Sequence, residues 1–279
     1  MPVSQSEKAF RFQELHTRPG AFVIPNPWDA GTARILTGLG YEALTTTSAG
    51  LAFTLGRRDA DGVVSRAETL ANAKTIVDAT DLPVAADLEN GFGHTPEACA
   101  ETIRLAADQA GLVGGSIEDS TGDPKRPIYD FNHAVERVAA AAEVVRHLAF
   151  PFVLVGRAEN FLNGRPDLDD TIKRLQAFEK AGADVLFAPG LTKADDIRTV
   201  CKSLHKPVNV IMGFQTASYS VADLAALGVR RISVGSALSR AALGAFFRAA
   251  REMRDQGTFR FAAQALSYAE ANDLVSRRS

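Results

Sequence analysis

An α/β barrel of eight strand–helix units is the fold this chain predicts, on three observations. Eight short β-branched or apolar runs alternate with longer helical patterns along the 279 residues. Glycine follows four helical stretches, in Leu39-Gly40-Tyr41, Ala110-Gly111-Leu112, Ala181-Gly182-Ala183 and Leu227-Gly228-Val229. There it ends a helix without a Cβ clash, and the next strand starts at once. No G-x-G-x-x-G follows the first strand, so the rival fold, an open doubly wound sheet, lacks its best signal.

The strands are expected at 21–25, 42–46, 83–88, 113–118, 151–157, 183–188, 207–212 and 231–235. The helices between and after them are expected at 28–39, 66–79, 96–110, 132–147, 168–181, 194–204, 221–227 and 237–254. In 168–181, Leu168, Ile172, Leu175 and Phe178 recur at helical spacing with charges opposite. Thr95-Pro96 offers an N-cap followed by proline at the first helical position. Residues 260–275 predict an extra C-terminal helix whose Phe261, Leu266 and Ala269 pack on the barrel or on another subunit. The whole of 1–279 reads as a single barrel domain, with its core at about 20–255 and a helical extension at about 258–276.

Composition narrows the function. With 46% hydrophobic and 23% charged residues the chain is globular, and a net charge of −2 gives no electrostatic footprint for nucleic acid. No apolar run approaches the roughly 20 residues of a membrane helix. The first residues lack the basic-then-apolar plan of a signal peptide, so a cytoplasmic protein without membrane partners is expected. The two cysteines, Cys99 and Cys201, lie in register with apolar helix positions and read as core thiols.

A barrel of this kind builds its active site at the C-terminal ends of its strands. Strand three ends Asp87-Leu88-Glu89-Asn90-Gly91-Phe92-Gly93, strand four ends Glu118-Asp119, and strand five ends Arg157-Ala158-Glu159-Asn160. Asp87 and Glu89, two apart, point the same way if the chain is extended. With Glu118 they form an oxygen-only donor set without His or Cys, which suits a hard cation such as Mg²⁺ or Mn²⁺. Arg157 beside them suits a substrate carboxylate or developing enolate charge. Strand two runs into Thr45-Thr46-Thr47-Ser48-Ala49-Gly50, small residues that let backbone N–H groups approach an anion. Two long loops, 55–63 with Arg57, Arg58, Asp59 and Asp61, and 119–131 with Lys125 and Tyr129, are placed as lids.

The run Asp87-x-Glu89-x-Gly91-Phe92-Gly93, then Ile117-Glu118-Asp119, then Arg157, resembles the isocitrate lyase/phosphoenolpyruvate mutase superfamily. Thr47-Ser48-Ala49-Gly50, Leu55-Gly56-x-x-Asp59 and Asn26-Pro27-Trp28-Asp29-Ala30 are similar to its other motifs, and the resemblance covers roughly residues 20 to 255. It implies an α/β barrel, usually tetrameric with a terminal helix exchanged between subunits. It also implies Mg²⁺-dependent chemistry on small 2-oxo acids and their enolates. By position, Asp87, Glu89 and Glu118 would bind the metal directly or through water. Thr47, Ser48 and Ala49 would meet the substrate carboxylate, Arg157 would hold the oxyanion, and Asp59 would sit near the reacting group.

One loop departs from the family. Its lyases carry a Cys acid/base after the fourth strand, where this chain reads Ser120-Thr121-Gly122-Asp123-Pro124-Lys125-Arg126-Pro127. The expected activity is therefore a Mg²⁺-dependent lyase or decarboxylase acting on a small 2-oxo or 2-hydroxy dicarboxylate through an enolate, with water, Tyr129 or Lys125 returning the proton. Two alternatives are P–C bond chemistry, as in the mutase branch, and a barrel that binds a 2-oxo acid without turning it over.

Overall fold

A computed structural model describes residues 3–59, 62–213 and 219–276. Its frame is an eight-stranded parallel sheet of β1 (Phe22–Ile24), β2 (Leu44–Thr45), β3 (Val84–Asp87), β4 (Gly114–Glu118), β5 (Val153–Arg157), β6 (Val185–Phe187), β7 (Val208–Ile211) and β8 (Arg231–Ser233). From β2 to β8 each strand pairs with the next in parallel, and β8 pairs with β1, while β1 and β2 form no ladder. The seam between β1 and β2 is drawn together by Thr45 N–H donating to Pro25 O (3.1 Å) and Asn26 Nδ2 donating to Thr46 O (2.8 Å). The predicted (β/α)₈ barrel is the fold observed.

Two apolar shells follow from the period of two along each strand. Val84, Ala86, Leu154, Leu186, Val208, Val210 and Ile232 face outward and pack under the helices. Ala85, Val153, Val155, Val185, Phe187, Phe22 and Ile24 face inward. The same inward face carries Asp87, Glu118 and Arg157 at the strand ends.

The helices are α1 (Gln5–Thr17), α2 (Ala30–Gly38), α3 (Ser48–Thr54), α4 (Arg66–Ala79), α5 (Pro96–Asp108), α6 (Phe131–Arg146), α7 (Leu168–Ala181), α8 (Ala194–Lys202), α9 (Val221–Ala226), α10 (Ala237–Gln256) and α11 (Tyr268–Ser276). The four predicted glycine joints all take positive φ, from 71° at Gly111 to 115° at Gly182. Two helices are additions to the expected set. The short α3 follows β2 directly, with Thr47 Oγ1 accepting from Gly50 N–H as its cap. The other, α1, is opened by a Ser4/Glu7 capping box and closes the N-terminal floor of the barrel. Its Phe12 is fully buried in the inner shell. A Cβ on Gly114 would stand 2.7 Å from the Phe12 ring and 2.9 Å from Val153 O, so the strand must carry glycine there.

The expected single helix at 260–275 is instead a 3₁₀ turn, Arg260–Gln264, followed by α11. Ala265 is extended and separates the two pieces. The tail returns to α2, where Arg34 donates to Val275 O (2.8 Å). Among the described residues no helix is long and apolar enough to cross a membrane.

Candidate functional site

Strand ends β3, β4 and β5 bring their polar residues to one mouth. The Arg157 guanidinium is the hub: Nη1 donates to Asp87 Oδ1 (2.8 Å), Nη2 lies 3.1 Å from Glu118 Oε2, and Nε donates to Glu159 Oε1 (3.0 Å). Asp87 also accepts from Ser48 through Oγ–H (2.9 Å) and N–H (3.3 Å). The Phe187 ring lies 5.1 Å from the guanidinium and closes its apolar side.

Three carboxylates therefore share one arginine, with Glu89 in the same field, and the proton affinities of the three glutamates record the crowding. Burial raises the pKa of Glu118 well above the usual carboxylate range; Arg157 opposes the rise, while Glu159, Asp87 and Glu89 add to it. Glu159 is raised for the same first reason, burial. Glu89 is pushed up to about 7 by burial, then by Asp87 and Asp59, against Arg157. Burial alone would lower Arg157, but Glu159, Glu118 and Asp87 reverse this and hold it firmly protonated.

One expectation needs correction. Asp87 and Glu89 do not extend along a common strand, because β3 stops at Asp87 and Glu89 turns into the left-handed region at φ 48°. Phe92 follows at φ 57°. Such conformations cost non-glycine residues about 1–3 kcal/mol and gather at functional sites. Glu89 still faces the cluster electrostatically, and its carbonyl accepts from Glu118 N–H (3.0 Å).

Other expected residues are distributed unevenly. Thr47 spends its hydroxyl on capping α3, Ser48 is on Asp87, and Ala49 is buried beside them. Asp59 is exposed on its loop yet contributes to the field at Glu89; Asp61 lies outside the described residues. Lys125 is exposed on the 119–131 loop, its backbone N–H donating to Asp123 Oδ1 (2.9 Å). Tyr129 is buried with its Oη 2.7 Å from His94 Nδ1 and its ring 4.2 Å from the Arg137 guanidinium. Among the described residues, neither Lys125 nor Tyr129 makes a hydrogen bond to the mouth carboxylates.

Sequence reasoning missed Glu159 as a partner of Arg157, although two-residue spacing on a strand end was the available signal. It also missed Asn26, whose Oδ1 accepts from Val234 and Gly235 N–H (2.9 Å each) and ties β1 to the end of β8.

Among the described residues no group of three or more His, Cys, Asp or Glu side chains stands close enough to hold a metal ion as arranged. The donor set nonetheless fits one. Asp87, Glu89, Glu118 and Glu159 are all oxygen donors, partly or wholly desolvated and mutually repelling, and one guanidinium leaves them with excess negative charge.

The fold and mouth define an α/β barrel with a carboxylate–arginine centre at its strand C-termini. The family profile described as phosphoenolpyruvate phosphomutase matches residues 12–254. The chain belongs to that family, within the isocitrate lyase/phosphoenolpyruvate mutase superfamily. A Burkholderia cenocepacia J2315 crystal structure, provisionally assigned as a lyase or mutase, is 57% identical, with TM-score 0.93 over 96% of this chain and 95% of that one. The 2-methylisocitrate lyase of Halalkalibacterium halodurans is 28% identical, across 92% of this chain and 85% of its own. The oxaloacetate decarboxylase of Paraburkholderia xenovorans is also 28% identical, across 81% of this chain and 75% of its own.

Proposed function

We propose that this protein is a Mg²⁺- or Mn²⁺-dependent lyase or decarboxylase that breaks a C–C bond in a small 2-oxo or 2-hydroxy dicarboxylate, leaving an enolate. The observation that carries this reading is Arg157 held between Asp87 and Glu118 at the barrel mouth. Asp87, Glu89 and Glu118 would hold the cation, directly or through water. When bound, the cation supplies Lewis-acid polarisation of the 2-oxo carboxylate. The names of the 2-methylisocitrate lyase and oxaloacetate decarboxylase relatives support C–C cleavage next to a carboxylate.

The chain's own residues do the rest. Arg157 is kept charged by its carboxylates and oriented by Glu159, so it presents a fixed donor to the oxygen on which charge develops. Ser48, with the backbone of Thr47 and Ala49, would position the substrate carboxylate, and Asp59 would close over the reacting group from its loop. Loss of CO₂ from a 2-oxo dicarboxylate leaves the electron pair on the enolate without a dedicated base, whereas cleaving a 2-hydroxy acid also needs a mouth carboxylate to take up its hydroxyl proton. Water then suits the final protonation, because among the described residues neither Lys125 nor Tyr129 hydrogen-bonds a mouth carboxylate.

The test is a proton and phosphorus NMR panel with oxaloacetate, 2-methylisocitrate, isocitrate, dimethylmalate and phosphonopyruvate, with Mg²⁺ and then EDTA. Metal-only blanks and an Asp87→Ala variant, checked for fold, run alongside. EDTA-sensitive release of a 2-oxo acid above blank, lost in the variant, is expected. Turnover of phosphonopyruvate alone would move the reading to P–C chemistry. A folded protein stabilised by 2-oxo acids without turning any over would leave a binding barrel.

A homo-oligomer also belongs to this reading. Phe246, Phe247, Leu243 and Met253 on α10 are all exposed, 72% in the case of Phe246, and Phe259 and Tyr268 extend the apolar surface into the tail. Sedimentation of wild type and Phe246→Asp should show an assembly that the variant loses.

A further inference from the structure

The barrel mouth has more carboxylates than its arginine can neutralise, while at the floor Arg231 has no carboxylate in an ion pair among the described residues. Arg231 opens β8 and is 5% exposed. Its register partners are Phe22 on β1 and Asn209 on β7. Ile232 faces the helices, so the alternation sends Arg231 and Ser233 into the barrel. The guanidinium stands 5.9 Å from the Phe12 ring centroid, at the outer limit of a useful cation–π contact.

Arg231 Nε and Nη1 are buried and without a hydrogen-bond partner. Among the described residues no acid forms an ion pair with it. Burial alone pulls its proton affinity down, to about 9, and no charge nearby opposes the pull. At neutral pH the guanidinium stays charged, and a buried charge needs a counter-charge. Two other polar atoms near the floor are equally orphaned, His16 Nε2 and Asn209 Oδ1. His16 Nδ1 is 2.7 Å from Phe12 O, an arrangement that puts the proton on Nδ1 and leaves Nε2 a bare acceptor.

We propose that the barrel floor is an anion site, where a monovalent anion of halide size sits against Arg231 Nε and Nη1 with water donating to His16 Nε2 and Asn209 Oδ1. The walls set the character of the anion. His16 meets Phe12 and Phe22 edge-on, with centroids 4.7 and 5.0 Å apart, so the lining beside the guanidinium is aromatic. Their positive rims suit a soft, weakly hydrated anion. His16 also lines a cleft of about 320 Å³ with Gln13, Thr17, Asp184 and Lys206. Asp184 does not supply the missing charge, because its carboxylate accepts from Leu154 N–H (3.0 Å) and faces Lys206. The bound anion would fasten α1 to the strands it plugs, and it does not depend on chemistry at the mouth.

Crystals of the full chain grown in sodium gluconate and soaked in sodium bromide give the direct reading. An anomalous bromide peak in contact with the Arg231 guanidinium is expected, and water alone there overturns the proposal. In solution, replacing gluconate by chloride at constant ionic strength should raise the wild-type melting midpoint by about 2–4 °C. Arg231→Met, whose side chain matches the apolar walls, should lose that response. An unchanged response in the variant overturns the proposal, and the bromide soak decides the matter if the variant does not fold.

Discussion

The two ends of the barrel carry charge in opposite senses. At the mouth, Asp87, Glu89, Glu118 and Glu159 crowd around Arg157, and burial with mutual repulsion drives the proton affinities of the three glutamates up. At the floor, Arg231 and His16 lie among Phe12 and Phe22, and burial drives proton affinities down. Under the proposed function the mouth serves a cation and a substrate that come and go. The floor is built around α1, which closes the inner shell and makes Gly114 obligatory. Both ends contain desolvated charge, but among the described residues only the mouth combines it with left-handed non-glycine backbone, at Glu89 and Phe92. Strain together with unbalanced charge distinguishes the working end from the stabilising one.

The sharpest way to break this division is at Arg157. Arg157→Met should lower turnover by about 10²–10³-fold, the loss typical of removing one preorganised oxyanion donor, while the variant stays folded by circular dichroism. Residual activity near wild type would remove Arg157 from the chemistry. Next in size, Phe12→Ala should cost about 3–5 kcal/mol in urea unfolding, because a fully buried ring is lost from the plug. Its turnover per folded molecule should be unchanged, and a selective loss of turnover would show that the floor communicates with the mouth.

The two ends should also respond to pH with opposite signs. Glu89 keeps its proton up to about pH 7 in the fold but loses it near the ordinary 4.5 when unfolded. The folded state therefore binds more protons between those values, and this group lowers stability as pH rises from 4.5 to 7. His16 is held down to about 3 by burial and then by Arg231, against an ordinary 6.5. Here the unfolded state binds more protons, and stability falls as pH drops from 6.5 towards 3. Each group contributes at most about 1.4 kcal/mol per pH unit. Chemical denaturation across that range should show the first slope removed in Glu89→Gln and the second in His16→Phe. Slopes unchanged in both variants would refute the assignment. The smallest effect is expected from Tyr129→Phe, a change in turnover of less than about threefold, since its hydroxyl pairs with His94 and hydrogen-bonds no mouth carboxylate among the described residues. A drop comparable to that of Arg157→Met would return Tyr129 to the catalytic set.

Much of this was legible in the sequence. Periodicity and glycine punctuation gave all eight strands, and the strand-end rule placed Asp87, Glu118 and Arg157 together. Local pattern is enough for those features because each is set within a few residues. The misses depend on contacts distant in sequence or on a backbone turn. Helix α1 is weakly amphipathic, and its role as a plug appears only once Phe12 meets Gly114 about a hundred residues away. Glu89 was placed on an extended strand because sequence spacing does not reveal that the chain turns left-handed after Asp87. Tyr129 looked available from its loop, but His94 and Arg137, on other elements, claim both its hydroxyl and its ring.

The mouth, under the proposed function, is a paired site for a divalent cation and a 2-oxo acid. Oxalate, a flat dianion shaped like an enolate of a 2-oxo acid, probes both halves at once. Calorimetric titration of oxalate should give saturable binding with Mg²⁺, none in EDTA, and none with Mg²⁺ in Asp87→Ala. Oxalate binding of equal strength in EDTA, or unaltered binding in folded Asp87→Ala, would contradict the claim.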